Sequence, residues 1–549
     1  MSLKASPIQL IPELTERVAR AVFPNNDNMY MKMRDVFGTI YTDEQFADLF
    51  PRRGQPAESP WRLALITVMQ FAENLSDRQA ADAVRARIDW KYALGLELDD
   101  AGFDFSVLSK FRQRLLAGGA EERLFEEMLE AFRAADLLRS GGKQRTDSTH
   151  IFGAIRTLNR LELVGEALRQ ALEAIAAVVP QWLQARVTAA WFERYGQPLN
   201  SYRLPKEERE REELAVTIGM DGGHLLTSIY SDPEHIWLAA IPAVDVMRQI
   251  WVQQYIFQDD VLRWRKNEET PPATVRIVSP FDVEARQAKK RDTHWLGYKV
   301  HLTESCDSGA PRLLTHVETR IACQQDALAT EEIHQALAQK QLLPGQHIAD
   351  TAYVSGPQLV VSQEKYGVHL LGPVLPDTSW QALQSDAYDV TQFQIDWEGQ
   401  HAVCPQGHTS KRWEQRTDRH DKPIINIHFS LKTCRRCPVK TLCTSSKKQG
   451  RHLTVRPRAE HEAIQARRQY QETQAFGEAY ALRAGVEGVI SQAAYALEMR
   501  RTRYRGLAKT HLQHVATAAA INLRRATDWL LGKPIATTRV TRFAALAVA

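Results

Sequence analysis

Three acidic residues stand in segments whose residue types fit phosphoryl chemistry. Asp147 lies in RTDSTHIFG, Asp350 in QHIADTAYVSG and Glu487 in YALRAGVEGVISQAAYALEMR. Hard divalent cations bind carboxylate oxygens, and carboxylates gathered from distant elements are a usual way to hold two Mg²⁺ ions. Each aspartate sits in or after a short stretch able to form a buried strand edge. The glutamate sits in a helical pattern. Tyr480, Arg483 and Glu487 fall at i, i+3 and i+7, which is one face of a continuous helix. Val486, Val489, Ile490 and Ala493 lie beside that face and can enter a core. A carboxylate against such a surface is costly unless it is paired or metal-bound. Arg483 can pair with it or contact a DNA phosphate, and Tyr480 can stack on a base or pack inside. A surface salt-bridge helix accounts for the same spacing.

A second group of reactive residues is the late cysteine cluster. Cys404 sits in CPQGH, and Cys434, Cys437 and Cys443 sit in CRRCPVKTLC. Four thiolates are a chemically sensible zinc set, with His408 as an alternative ligand. The spacing is not that of a common short finger, so reduced, partly buried cysteines in a small subdomain remain the other reading. Cys306 and Cys323 are isolated and read as core.

These groups need elements to carry them. The chain has 549 residues with 44% hydrophobic and 25% charged content, ordinary for a globular protein. Its formal charge of +4 permits nucleic acid without requiring it. The basic residues are local: RQAKKRD at 286–292, SKKQGRHLTVRPR at 446–458 and RRTRYRGLAKTH at 500–511. No apolar stretch has signal-peptide or membrane-span length, so a cytoplasmic, reducing setting and no membrane partner are expected.

From Trp61 the pattern is helical, with Ser76 as an N-cap and Ser106 as a second candidate cap. A helical unit over 1–138 fits a DNA binder or a dimerisation domain. GGKQR marks a change to a strand at TDSTHIF. Residues 139–155 and 276–374 read as an α/β sheet domain, in which WLGYKVHLTES and RLLTHVETRIA form an antiparallel pair. Residues 156–275 read as a helical insertion, and 375–460 as a Cys-rich insertion. Residues 461–549 read as helices, with one uninterrupted helical run carrying Glu487.

In that order, these segments resemble bacterial insertion-sequence transposases with a DDE triad, in the broad IS4/IS5 group and most like the IS1182 type. LSDRQAADAVRARIDWKYALGL with FDFSVLSKFRQRL is similar to the family's N-terminal domain. RTDSTHI and HIADTAYVSG are similar to its two aspartate blocks, and PFDVEARQAKKRDTHWLGYKVHLTES resembles the segment before the second aspartate. Tyr480, Arg483 and Glu487 match its Tyr-x2-Arg-x3-Glu signature, and RYRGLAKTHLQHVATAAAINLRR resembles its C-terminal block.

The resemblance implies an RNase H-like catalytic core with Asp147, Asp350 and Glu487 holding Mg²⁺ or Mn²⁺. It implies double-stranded DNA with terminal inverted repeats and target DNA as partners, a homodimer on DNA, and a nucleoid-associated bacterial setting. Tyr480, Arg483, Arg500, Lys509, Lys447, Lys448 and Arg451 are the expected DNA contacts. The wider signature often places Lys seven positions past the glutamate, where this chain has Ala494. Arg500 and Lys509 are candidates to replace it. A DNA-binding descendant without catalysis, or a metal-dependent nuclease outside transposition, are the alternatives.

Overall fold

The computed structural model describes residues 2–3, 10–25, 27–535 and 546. Part of the N-terminal segment read for a leader, and the end of the 461–549 unit, lie outside the described residues.

Six strands make the central sheet: β1 (Lys143–Phe152), β2 (Arg286–Lys290), β3 (Thr293–Ser305), β4 (Leu314–Ile321), β5 (Gln346–Ile348) and β6 (His369–Leu371). Their order is β4–β3–β1–β5–β6, with β2 on the first part of β3. β1 runs antiparallel to β3 and parallel to β5, and β5 is parallel to β6. The expected antiparallel pair is the β3–β4 hairpin. Helix Ala327–Gln339 connects β4 to β5, and helix Gly356–Tyr366 connects β5 to β6. Such crossovers are what parallel pairing demands.

β3 pairs with β1 from Gly297 to Ser305 and with β2 from Thr293 to Gly297. Gly297 is where the two pairings meet. Its φ is +150°, and a Cβ there would lie 2.2 Å from the Ile151 carbonyl oxygen. Only glycine fits that approach.

Helix Leu507–Leu530 is buried along most of its length, including Val515 through Leu523. A helix buried on so many consecutive positions must be packed on more than one side. It lies against β4 on one side, where Asn522 exchanges hydrogen bonds with the Leu314 backbone at 2.7 and 2.8 Å. On the other it meets the N-terminal helices Met29–Phe37, Pro60–Ala72 and Arg123–Ala134. One apolar cluster therefore runs from Trp61 and Phe125 through Ala519 to Val300 and Leu302. A buried polar seam adds to it: Glu122 accepts from His511 at 2.6 Å and pairs with Lys340 at 3.0 Å.

The two insertions pack around clusters of their own. Helices Arg160–Val178, Glu208–Tyr230 and Pro242–Gln254 enclose residues such as Leu168, Ile218 and Met247. Strands Gln394–Asp396 and His401–Val403, and the sheet of Arg412–Thr417, Pro423–His428 and His452–Val455, surround Phe393, Ile427 and Leu453.

Local expectations fared unevenly. Ser76 caps helix Asp77–Ala86 in a full capping box with Gln79. Ser106 does not cap; it is the first helical residue, and its N–H is taken by the Asp104 carboxylate. The helical insertion ends in a hairpin, Tyr255–Gln258 with Val261–Trp264, that the helical reading ran through. The uninterrupted run across Glu487 is broken into Arg458–Gln471, Gln474–Ala481, a 3₁₀ turn Leu482–Gly485, Val486–Ser491 and a π turn Gln492–Ala496. Thr473 caps the second piece, which is why the first stops.

Among the described residues no helix is long and apolar enough to cross a membrane.

Candidate active site

Asp147 sits in the middle of β1, opposite Leu302 on β3. Asp350 lies two residues past the end of β5, the strand parallel to β1. It is held in a turn: its Oδ1 accepts from the Ala352 N–H at 2.8 Å, and its carbonyl accepts from Tyr353. Glu487 is near the start of helix Val486–Ser491.

One side chain joins all three. The Arg483 Nη2 donates to Asp147 Oδ2 at 2.6 Å and lies 3.8 Å from Asp350 Oδ2, while Nη1 lies 3.8 Å from Glu487 Oε1. The sequence brings these carboxylates from 340 positions apart to one guanidinium. Tyr480, Arg483 and Glu487 do not share a continuous α-helix, because the tight 3₁₀ turn separates them. Arg483 nevertheless reaches Glu487.

The turn is pinned from the sheet. Arg145, two residues before Asp147 on β1, is almost wholly buried. Its guanidinium pairs with Glu304 of β3 at 2.7 Å and donates to the Leu482 carbonyl. Glu304 also pairs with Arg525 of helix Leu507–Leu530 at 2.6 Å. A Cβ on Gly485 would meet the Arg145 guanidinium at 2.1 Å. Arg145, Glu304 and Arg525 thus seat the turn that carries Arg483 against the strand that carries Asp147. Sequence reading missed these residues. The available signal was an arginine in RTD and a glutamate inside the strand KVHLTES, each a charge in an otherwise buried element.

Electrostatics follow from this packing. Burial pushes the Asp147 carboxyl above its ordinary range; Arg483 and the Ser148 N–H oppose this, and Asp350 adds to it. Lys290, at the end of β2, is another cation that acts on Asp147. It belongs to the RQAKKRD run, where sequence reading noted the charge but assigned no role. The Glu487 side chain is 74% exposed, so it is free to reorient.

The expected DNA contacts divide. Arg500 donates to Thr149 at 3.1 Å, on the same face of β1 as Asp147. Lys509, Lys447 and Lys448 are exposed. Tyr480 is half-buried and stacks on Phe476 with ring centroids 5.4 Å apart. Arg451 turns inward instead of facing solvent: its guanidinium lies over the Phe393 ring, and its Nε is buried. The strand pairing of Phe429 with Arg451 directs it there. Ala494 is half-buried in the π turn.

The four clustered cysteines, Cys404, Cys434, Cys437 and Cys443, line one cavity in the second insertion, and none is disulfide-bonded. Cys306 is buried as expected, whereas Cys323 is only partly buried. Among the described residues no group of three or more His, Cys, Asp or Glu side chains is placed so that it could hold a metal ion. At the acidic face the Arg483 guanidinium lies between the three carboxylates. The donor set itself, three carboxylates, suits a hard divalent cation.

Two family models match this chain. Residues 17–114 match a transposase domain (DUF772), and residues 403–527 match a transposase DDE domain. The chain carries the domains of an insertion-sequence DDE transposase, in the IS1182-like arrangement. No curated protein and no solved structure matches it. A DDE domain implies an RNase H-like fold, and the mixed α/β sheet described above accords with it. The second match spans most of the cysteine insertion, Arg483, Glu487 and helix Leu507–Leu530; β1 and β5, with their aspartates, lie outside both ranges. DDE transposases generally use divalent metals such as Mg²⁺, and transposases bind DNA at insertion-sequence ends.

Proposed function

We propose that this transposase cleaves the ends of its insertion sequence and joins them to target DNA, with Asp147, Asp350 and Glu487 as the ligands of Mg²⁺ or Mn²⁺. The observation that carries this reading is the contact of all three carboxylates with one guanidinium. When bound, the ions activate the attacking oxygen and stabilise the leaving oxygen of an in-line displacement.

The protein's own groups have separable tasks. Asp147 is fixed by the strand and by the Ser148 N–H, so it sets the position of the site. Asp350 is fixed by its turn. Glu487 completes the set from an exposed helix. Arg483 neutralises the three like charges while no cation is present, and it must withdraw for one to enter. Once withdrawn, its guanidinium is available to a phosphate oxygen of the DNA backbone. Lys290, Arg500 and Lys509 place further positive charge for the same strand. Double-stranded end DNA is the substrate, and joining two ends calls for a homodimer on DNA.

The test is cleavage and strand transfer of a labelled terminal inverted repeat with Mn²⁺. Asp147→Asn, Asp350→Asn and Glu487→Gln should each lose both steps by about 10³-fold or more while still shifting the DNA in a gel. Wild-type activity in Glu487→Gln would overturn the assignment. Binding without cleavage in the wild type would instead favour a DNA-binding descendant, and cleavage without strand transfer a simple nuclease.

A further inference from the structure

The second insertion poses a stability problem. Its cluster of buried apolar side chains is Phe393, Ala402, Ile425, Ile427, Phe429, Leu453 and Val455. Its two sheets have two and three strands. A module with so small a core normally needs a covalent or metal staple. Disulfides do not supply it, because its cysteines are free.

The same module brings four thiols to one place from three separate segments. Cys404 opens a tight turn in which the Gly407 N–H donates to the Cys404 carbonyl at 2.8 Å and the Cys404 N–H donates to His408 at 2.9 Å. Gly407 has φ +75°, the left-handed conformation that such a turn needs. Cys434 and Cys437 lie at the end of helix Leu431–Arg435, and Cys443 ends helix Lys440–Cys443. All four line a cavity of about 30 Å³, room for at least one water. The Arg451 N–H already donates to Cys434 Sγ at 3.4 Å. His408 is exposed and belongs to the rim.

We infer that Cys404, Cys434, Cys437 and Cys443 bind one structural Zn²⁺ ion, and that Arg451 balances the charge of that centre. Binding converts four thiols to thiolates, releases their protons, and leaves two surplus negative charges on the centre. Arg451 supplies a guanidinium within the cavity lining whose buried Nε has no hydrogen-bond partner. The thiols surround the cavity without yet closing on a point. Tetrahedral ligation at about 2.3 Å draws them inward. This centre is independent of the acidic face and of the DNA chemistry proposed for it.

The full chain, purified under reducing conditions without chelator, should carry about one zinc ion per chain by mass spectrometry of metals. Replacing zinc with Co²⁺ should give intense thiolate-to-metal charge-transfer absorption and the d–d bands of a tetrahedral site. Cys437→Ser should lose most of that metal and absorption, whereas Cys306→Ser with Cys323→Ser should keep both. The wild-type cobalt spectrum does not depend on whether Cys437→Ser folds. Substoichiometric zinc together with a cobalt spectrum lacking thiolate bands would overturn the inference. Retention of full zinc by Cys437→Ser, or its loss in the Cys306/Cys323 variant, would overturn the assigned ligands. Arg451→Gln should weaken zinc retention against a chelator about tenfold more than Lys448→Gln does, and equal retention would remove Arg451 from the centre.

Discussion

The acidic face and the cysteine insertion solve the placing of functional side chains in opposite ways. At the acidic face the carboxylates come from a strand, a turn and a helix that a shared core already fixes, and a buried Arg145–Glu304–Arg525 set ties them. The insertion has few apolar contacts and leaves its thiols around a cavity. A large core positions ligands before any ion arrives; a small one leaves that work to the ion. On the two readings proposed above, the first arrangement suits ions that come and go with DNA, the second an ion that stays.

Acid offers the broadest way to break this contrast, because it strikes the shared core. Burial depresses His301 and His514 to about 3 and His334 to about 4, and holds His347 well below its usual value. A depressed histidine leaves the unfolded chain binding more protons than the folded one below about pH 6.5, so stability falls as pH drops through that value. His511 is raised by its Glu122 partner against burial, and its contribution is present at low pH and lost as pH rises. His150, His316, His369, His452 and His461 are depressed as well, so the lowered rings outweigh the one raised and acidification gives a net loss, on the order of 1 kcal/mol per fully buried histidine per pH unit. Calorimetry should show the main transition dropping between pH 7.5 and 5.5; a flat profile would contradict the neutral, buried state of these rings.

Glu304→Gln attacks the tie itself. It leaves two arginines facing each other in a dry site and should cost about 3–5 kcal/mol in urea unfolding. A loss under 1 kcal/mol would mean that the set does not hold the turn. Gly485→Ala is milder, since its Cβ must push the Arg145 guanidinium aside, and about 1–3 kcal/mol is expected. End cleavage should fall further than stability alone explains, through displacement of Arg483 and Glu487.

The smallest effect sharpens the comparison most. Arg483→Ala removes the cation lying among the carboxylates, so Mn²⁺ or Tb³⁺ should bind the DNA-free protein about tenfold more tightly, as read by luminescence or calorimetry. End cleavage should nevertheless decrease. Weaker metal binding in that variant would show that the guanidinium supports the site and does not compete for it.

The same contrast explains what sequence could and could not reveal. TDSTHIF reads as a strand because β-branched and aromatic residues dominate it, and the β3–β4 pair is announced by CDSGAP between two apolar runs. These signals are local. The breaks around Glu487 are not: the Leu482–Gly485 turn is tight because Arg145, more than 300 positions earlier, claims the Leu482 carbonyl. Helical periodicity therefore puts Tyr480, Arg483 and Glu487 on one helical face, whereas the structure breaks the helix between them and pairs only Arg483 with Glu487. Arg451 misled in the same way, since a basic run reads as solvated until a strand register turns one member inward.

Helix Leu507–Leu530 is the middle layer of a three-layer arrangement, with the sheet on one side and the N-terminal helices on the other. A ribosome must therefore translate past residue 530 before either outer layer can acquire its lining. Any product halted before Leu507 would expose two apolar faces at once and go to proteolysis, so nicks or frameshifts upstream should yield no half-working fragment.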